Sequence, residues 1–248
     1  LDGPAHFLRQ FRKVTTTPMS DQELSHKIKS FVIRAGRMTD SQQKGWNEVF
    51  PKHGFSLTES QFDWEHSYAV NGPRVVEIGF GMGDSLLAMA EQNPTYRYLG
   101  LEVHKPGVGK LFAEVEKRGI ENIKVFAEDA VRVLEVSIPP QTIDLIQIFF
   151  PDPWHKKRHH KRRLIQPEFV DLLLTRLAPE GRLHLATDWQ PYAEHMMAVL
   201  ENNGNVQNVA GSQQFIPRPE SRPETKFERR GHRLGHGVWD LMFQKPAR

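Results

Sequence analysis

The sequence predicts an α/β fold with a mostly parallel sheet and helices on both faces. Three observations predict it. Short apolar runs alternate with helically spaced segments along most of the chain, as βαβ units require. The first such run ends in a glycine-rich turn that leads directly into a helical pattern. The successive runs carry carboxylates at their C-terminal ends, where open α/β sheets bind ligands.

Residues 1–30 are polar, with a Thr-rich patch (VTTTPMSDQ) and no sustained periodicity, so they read as a mobile arm with room for one short helix. The organised domain is expected over residues 31–248. RVVEIGFGMG (74–83) is a strand closing in a tight turn, and DSLLAMAEQNP (84–94) spaces its apolar residues helically up to a stop at Asn93 and Pro94. YRYLGLEV (96–103) is the next strand, followed by a helix over 107–119. IKVFAED (123–129) precedes the short helix AVRVLEV. IDLIQIFF (143–150) is a fourth strand, followed by a helix over 167–181 with Gly181 at its end. RLHLATD (182–188) and a helix over 191–204 form another pair. A Pro/Arg-rich loop, 216–236, breaks the rhythm before a closing strand, GVWDLMFQ (237–244).

At 248 residues the chain fits one α/β domain with extensions, or two small domains. Hydrophobic residues make up 38%, mean hydropathy is −0.54, and no uninterrupted apolar stretch reaches the length of a membrane span. The expectation is a soluble, cytoplasmic protein. LDGPAHFLRQFRKV at the start lacks the apolar core and small-residue cleavage site of a secretory signal. The absence of cysteine excludes disulfides, thiolate metal sites and a cysteine nucleophile. Net charge is only +3, but it is unevenly spread. Residues 155–163 hold six Lys or Arg and no acid, and residues 216–236 hold six more against three glutamates. Such concentration on a nearly balanced chain points to a polyanion-binding face.

Gly79, Gly81 and Gly83 spell G-x-G-x-G, which departs from the dinucleotide fingerprint G-x-G-x-x-G in having Asp84 where the last small residue belongs. A glycine turn alone can be a mere connection. Glu102, about 20 residues on, is placed to accept hydrogen bonds from ribose hydroxyls. Glu77, just before the turn, would repel a pyrophosphate and suit an ammonium or sulfonium centre. This favours S-adenosyl-L-methionine over a nicotinamide dinucleotide, with Asp129 facing the adenine. The alternative for each acid is a solvated strand end.

FFPDPWHKKRHHKRR (149–163) sets Asp152 between two prolines after an apolar strand, which holds its backbone extended and aims its side chain into the strand-end crevice. Trp154 is placed to wall the pocket or to stack on a base. The cations that follow are read as phosphate ligands rather than as a solvated loop, and they would oppose a divalent metal at the neighbouring histidines. No metal site is expected.

EIGFGMG, LGLEVH, FFPDPWHKKRHHKRR, ATDWQPYAEHM and RPETKFERRGHRLGHGVWDLMF together resemble the bacterial tRNA (guanine-N(7)-)-methyltransferase family, whose members place 7-methylguanosine at position 46 of the tRNA variable loop. The resemblance runs from about Phe31 to Phe243 and includes SFVIRAGRMT. It implies a Rossmann-like class I methyltransferase fold, with a seven-stranded sheet and an antiparallel C-terminal strand. The implied cofactor is S-adenosyl-L-methionine, released as S-adenosyl-L-homocysteine. The family's cofactor-binding acids fall on Glu77, Glu102, Asp129 and Asp152, with Asp152 also the catalytic residue. Its substrate contacts fall on Lys156, Asp188, Thr225, Lys226, Phe227 and Glu228. An RNA-binding segment covers Arg158, His159, His160, Lys161, Arg162 and Arg163. The implied partner is tRNA, without a membrane or an obligate protein partner, and a monomer is slightly favoured over a dimer. The rival readings are an RNA-binding protein without catalysis, methylation of a different RNA site, and a nicotinamide-dependent oxidoreductase, against which the glycine spacing and the basic block both argue.

Overall fold

A computed structural model describes residues 30–31, 36–58, 60–225, 228 and 237–247. The expected arm therefore lies almost wholly outside the described residues, as do Lys226 and Phe227.

The strands are β1 (Gly54–Phe55), β2 (Arg74–Ile78), β3 (Arg97–Leu101), β4 (Ile123–Phe126), β5 (Ile143–Phe149), β6 (Leu177–Thr187), β7 (Gln207–Asn208) and β8 (Trp239–Gln244). They form one sheet in the order β1-β4-β3-β2-β5-β6-β8-β7. β8 runs antiparallel to both of its neighbours, and every other pairing is parallel. The sheet thus has eight strands rather than the seven expected. The addition is β1, two residues paired to the outer edge of β4 and too short to show a period in the sequence.

The helices are α1 (Asp40–Lys44), α2 (Phe50–His53), α3 (Trp64–Ser67), α4 (Asp84–Gln92), α5 (Lys105–Arg118), α6 (Ala130–Val136), α7 (Pro167–Arg176) and α8 (Gln190–Glu201), with a π-helical turn, Gly45–Val49, between α1 and α2. One buried cluster fills the face covered by α4 and α5. A second cluster, with residues of α6, α7 and α8, fills the other face. β2, β3 and β5 are near-continuous apolar runs because both of their faces are covered.

α5 begins two residues before its expected start because Pro106 suits the first helical turn, and it ends at Gly119, whose left-handed φ of 63° caps it. α7 stops at Arg176 instead of reaching residue 181. Pro179 disfavours helical geometry at the residue before it, Leu177 is already extended (φ −65°, ψ 132°), and Lys245 Nζ donates to the carbonyls of Leu174 and Leu177 at 2.8 Å.

The strand order reverses between β2 and β5: the chain proceeds from β2 to β3 and β4 on one side, then returns to β5 on the other. Ligands of open α/β sheets bind outside the carboxyl ends of the strands at such a switch point.

Candidate active site at the carboxyl ends of β2 and β5

A cavity of about 290 Å³ opens at that switch point, between Ile78 at the end of β2 and Gly79 after it, Glu102 after β3, Asp129 after β4, and Asp152 after β5. Three of the five strand-end acids, Glu102, Asp129 and Asp152, therefore meet in one place, whereas the buried Glu77 and the exposed Asp188 are not among the residues that line the cavity. Gly79 and Gly81 turn with positive φ (73° and 58°), and nothing lies within 4 Å of a Cβ built on either. The space above the turn is open, and it is backbone conformation that calls for glycine there. Gly83, also left-handed, precedes the first turn of α4.

Glu102 braces this turn. Its Oε2 accepts from the Gly81 amide at 2.7 Å, and its Oε1 from the amides of Val103 (2.7 Å) and His104 (2.9 Å). A carboxylate offers about four acceptor positions, so one stays available for a hydroxyl. Gly107 brings α5 against the same turn: a Cβ on it would stand 1.9 Å from the Gly81 carbonyl oxygen. Asp129 accepts from the Val131 amide at 2.8 Å and caps α6 while lining the cavity.

Glu77 is buried, and its Oε2 has no hydrogen-bond partner among the described residues. Burial, and secondarily the charge of Glu102, pushes its carboxyl up to about 8. Its neighbour in register on β5, Gln147, likewise has a buried side-chain oxygen, Oε1, without a partner among those residues.

The segment bearing Asp152 is locally strained. Phe150 (φ 53°) and Trp154 (φ 47°) both adopt left-handed conformations that bulky residues rarely take, a cost that concentrates at functional sites. Asp152 is exposed at the cavity mouth, where its Oδ1 accepts from the Trp154 amide at 3.0 Å. Trp154 does not present a bare face: the Arg162 guanidinium lies 3.9 Å above its ring, and the His159 ring meets it edge-on.

The basic block forms a 3-10 turn, Lys157–Arg162, with Lys156, Lys157, Arg158 and Lys161 exposed and His159 and His160 half-buried. His159 is held below its ordinary range by desolvation and by the surrounding cations, Arg158 first among them. Arg163 differs from the expected phosphate ligand. It is 4% exposed, its Nε donates to the Pro153 carbonyl at 3.0 Å, and its guanidinium lies over the Tyr192 ring. Its Nη2 also meets His160 Nε2 at 3.2 Å, so that nitrogen must accept.

Asp188 is exposed just beyond β6, and the adjacent Trp189 ring meets His155 at 4.4 Å, which brings the two strand-end loops together. Glu228 is 2% exposed and so is not open to a base as expected. Arg222 Nη1 and Nη2 donate to its two oxygens at 2.8 and 2.7 Å, and the Thr225 amide donates to Oε2 at 2.8 Å. These hydrogen bonds hold its carboxyl below the usual range although burial pushes the other way. Sequence reasoning does not single out Arg222, because nothing in a loop rich in proline and arginine marks which arginine lies inside.

A family model described as "Putative methyltransferase" matches residues 71–241. A tRNA (guanine-N(7)-)-methyltransferase of Chromohalobacter salexigens is 52% identical over 231 residues, covering 92% of this chain and 94% of its own length. One of Alcanivorax borkumensis is 48% identical over 225 residues, covering 91% and 94%. The chain belongs to the tRNA (guanine-N(7)-)-methyltransferase family. The family's fold also lies within reach of more distant structures. The crystal structure of the 16S rRNA methyltransferase KamB superposes with a TM-score of 0.51 at 15% identity, covering 87% of this chain and 98% of that one. In this tRNA (guanine-N(7)-)-methyltransferase family member, the matched region spans the glycine turn, the basic turn and every residue lining the cavity except Ser30 and Phe31.

Proposed function

We propose that this enzyme transfers a methyl group from S-adenosyl-L-methionine to ring nitrogen 7 of guanine at position 46 in the variable loop of cytoplasmic tRNA. The single observation that carries the reading is the convergence of the open glycine turn, Glu102, Asp129 and Asp152 on one cavity, with the buried Glu77 in the strand that leads into the turn.

The residues present fit the cofactor. A buried carboxyl with an unpartnered oxygen suits a cationic ligand, Glu102 keeps an acceptor position for a ribose hydroxyl, and nothing crowds the space over Gly79 and Gly81. The cofactor supplies an electrophilic methyl group on a sulfonium sulfur.

Guanine nitrogen 7 has an in-plane lone pair and needs no base to expose it, so the chain's principal task is placement. Orientation can supply several of the roughly 7–11 kcal/mol available from well-positioned reactants. Methylation leaves the purine cationic, and Asp152 at the cavity mouth stabilises that developing charge. Asp188 accepts from the guanine ring and amino N–H groups and so distinguishes guanine from adenine, a role that Glu228 cannot share while Arg222 holds both of its oxygens. Lys156, Lys157, Arg158 and Lys161 engage tRNA phosphates beside the cavity.

Methyl transfer to unmodified tRNA, compared with a transcript carrying adenine in place of the variable-loop guanine, tests the reading. Product 7-methylguanosine is expected only in the first. Binding of tRNA without transfer to either would favour a binding protein, and equal labelling of both would move the site elsewhere in the RNA.

A further inference from the structure

We propose that Arg222 is a positioning residue that locks the two walls of the guanine site to each other. The inference rests on the function proposed above, with Asp152 on one wall of the site and, on the other, Thr225, which the family resemblance implies as a substrate contact.

Arg222 is wholly buried and sits where three chain segments meet. Towards its own loop it donates from Nη1 and Nη2 to the two oxygens of Glu228. Glu228 in turn exchanges two hydrogen bonds with Thr225: its carboxylate accepts from the Thr225 amide, and its own amide donates to Thr225 Oγ1 at 3.1 Å. Towards β8 it donates from Nε and Nη2 to the two oxygens of Asp240, at 2.7 and 2.8 Å. Towards the end of β5 its guanidinium stands 5.7 and 5.5 Å from the ring centroids of Phe149 and Phe150. Asp240 is also fixed from behind by His184 Nε2 at 2.8 Å, and the His184 ring meets Phe149 edge-on at 4.9 Å.

Each segment ends close to a group of the site. Phe150, left-handed and anchored by its amide to the Ala186 carbonyl, lies two residues before Asp152. Glu228 is hydrogen-bonded to Thr225. A planar guanidinium bridging two carboxylates in fork geometry fixes orientation as well as distance, which a lysine ammonium cannot do. Buried ionic networks are weak contributors to stability against an apolar replacement. What this one supplies is a single relative placement of the Asp152 loop and Thr225.

Arg222→Lys keeps the charge and removes the fork. In the full chain, with folding checked by circular dichroism, kcat is expected to fall on the order of 10²-fold, as small misplacements do, while the dissociation constants for S-adenosyl-L-methionine and tRNA stay near those of wild type. Amide exchange at Phe150, Asp152 and Trp154, measured without ligands, should quicken. Asp240→Asn retains the Arg222–Glu228 pair and a paired interior, and should show the same pattern in milder form. Wild-type kcat with wild-type exchange in Arg222→Lys would overturn the proposal. So would losses of kcat and cofactor affinity in equal measure, which mark general damage. Wild-type enzyme run alongside separates the two readings: if it forms no 7-methylguanosine, the function fails, whereas an active wild type with an indifferent variant removes only the role of Arg222.

Discussion

Burying a carboxyl oxygen without a hydrogen-bond partner is costly, and Glu77, whose Oε2 has none among the described residues, carries that cost beside the glycine turn. Its proton is lost near pH 4.5 in the unfolded chain and near 8 in the folded one. Between those values the native state holds a proton that the unfolded state has released, so native stability declines as pH rises through the window. Glu77→Gln removes this titration. Its melting temperature should exceed that of wild type by more at pH 8.5 than at pH 5, while its affinity for S-adenosyl-L-methionine falls. A difference that does not change with pH would absolve Glu77 of the cost. Asp152 has the opposite character: it is exposed, and its Oδ1 accepts from the Trp154 amide. Asp152→Ala should lower turnover far more than tRNA affinity, and comparable losses in both would indicate a binding role instead.

The helical elements show how chain-local physics and tertiary packing share the work. α5 is set by Pro106 and Gly119, and both signals are legible in the sequence. The capping box of α1, in which Thr39 and Gln42 exchange side-chain-to-amide hydrogen bonds, is equally legible yet lies in a stretch without apolar rhythm. β1 and β7 have two residues each and leave no period to read. The basic turn divides by burial, which composition cannot reveal: Lys157 and Lys161 face solvent, while Arg163 ties Pro153 to the start of α8. Replacing Lys157 and Lys161 with Ala should flatten the salt dependence of tRNA binding by about 0.7–0.9 for each phosphate no longer neutralised. Arg163→Ala should leave that slope unchanged and reduce turnover, and a flattened slope would return Arg163 to the phosphate interface. Gly107→Ala drives a methyl group into the Gly81 carbonyl. Cofactor affinity should drop with tRNA affinity intact, whereas unaltered cofactor binding would show that the turn shifts without consequence.

Across the whole molecule, net charge is slight but position is telling: the exposed cations of the basic turn gather beside a mouth lined by Glu102, Asp129 and Asp152. Positive charge outside and carboxylates within suit a polyanion carrying a base that becomes cationic on reaction. The strand-end acids are legible because βαβ alternation places strand ends on one rim. The Arg222 network is not, since its hydrogen-bonded members are separated by up to 56 residues and meet only after β8 inserts beside β6. The proposed reaction turns on one atom, guanine nitrogen 7. Unmodified tRNA carrying 7-deazaguanine at the variable-loop position replaces that nitrogen with carbon and leaves the pairing edge intact. Binding with the affinity of unsubstituted tRNA and no methyl transfer is expected, and label appearing on the 7-deaza tRNA would place the methyl group on another atom.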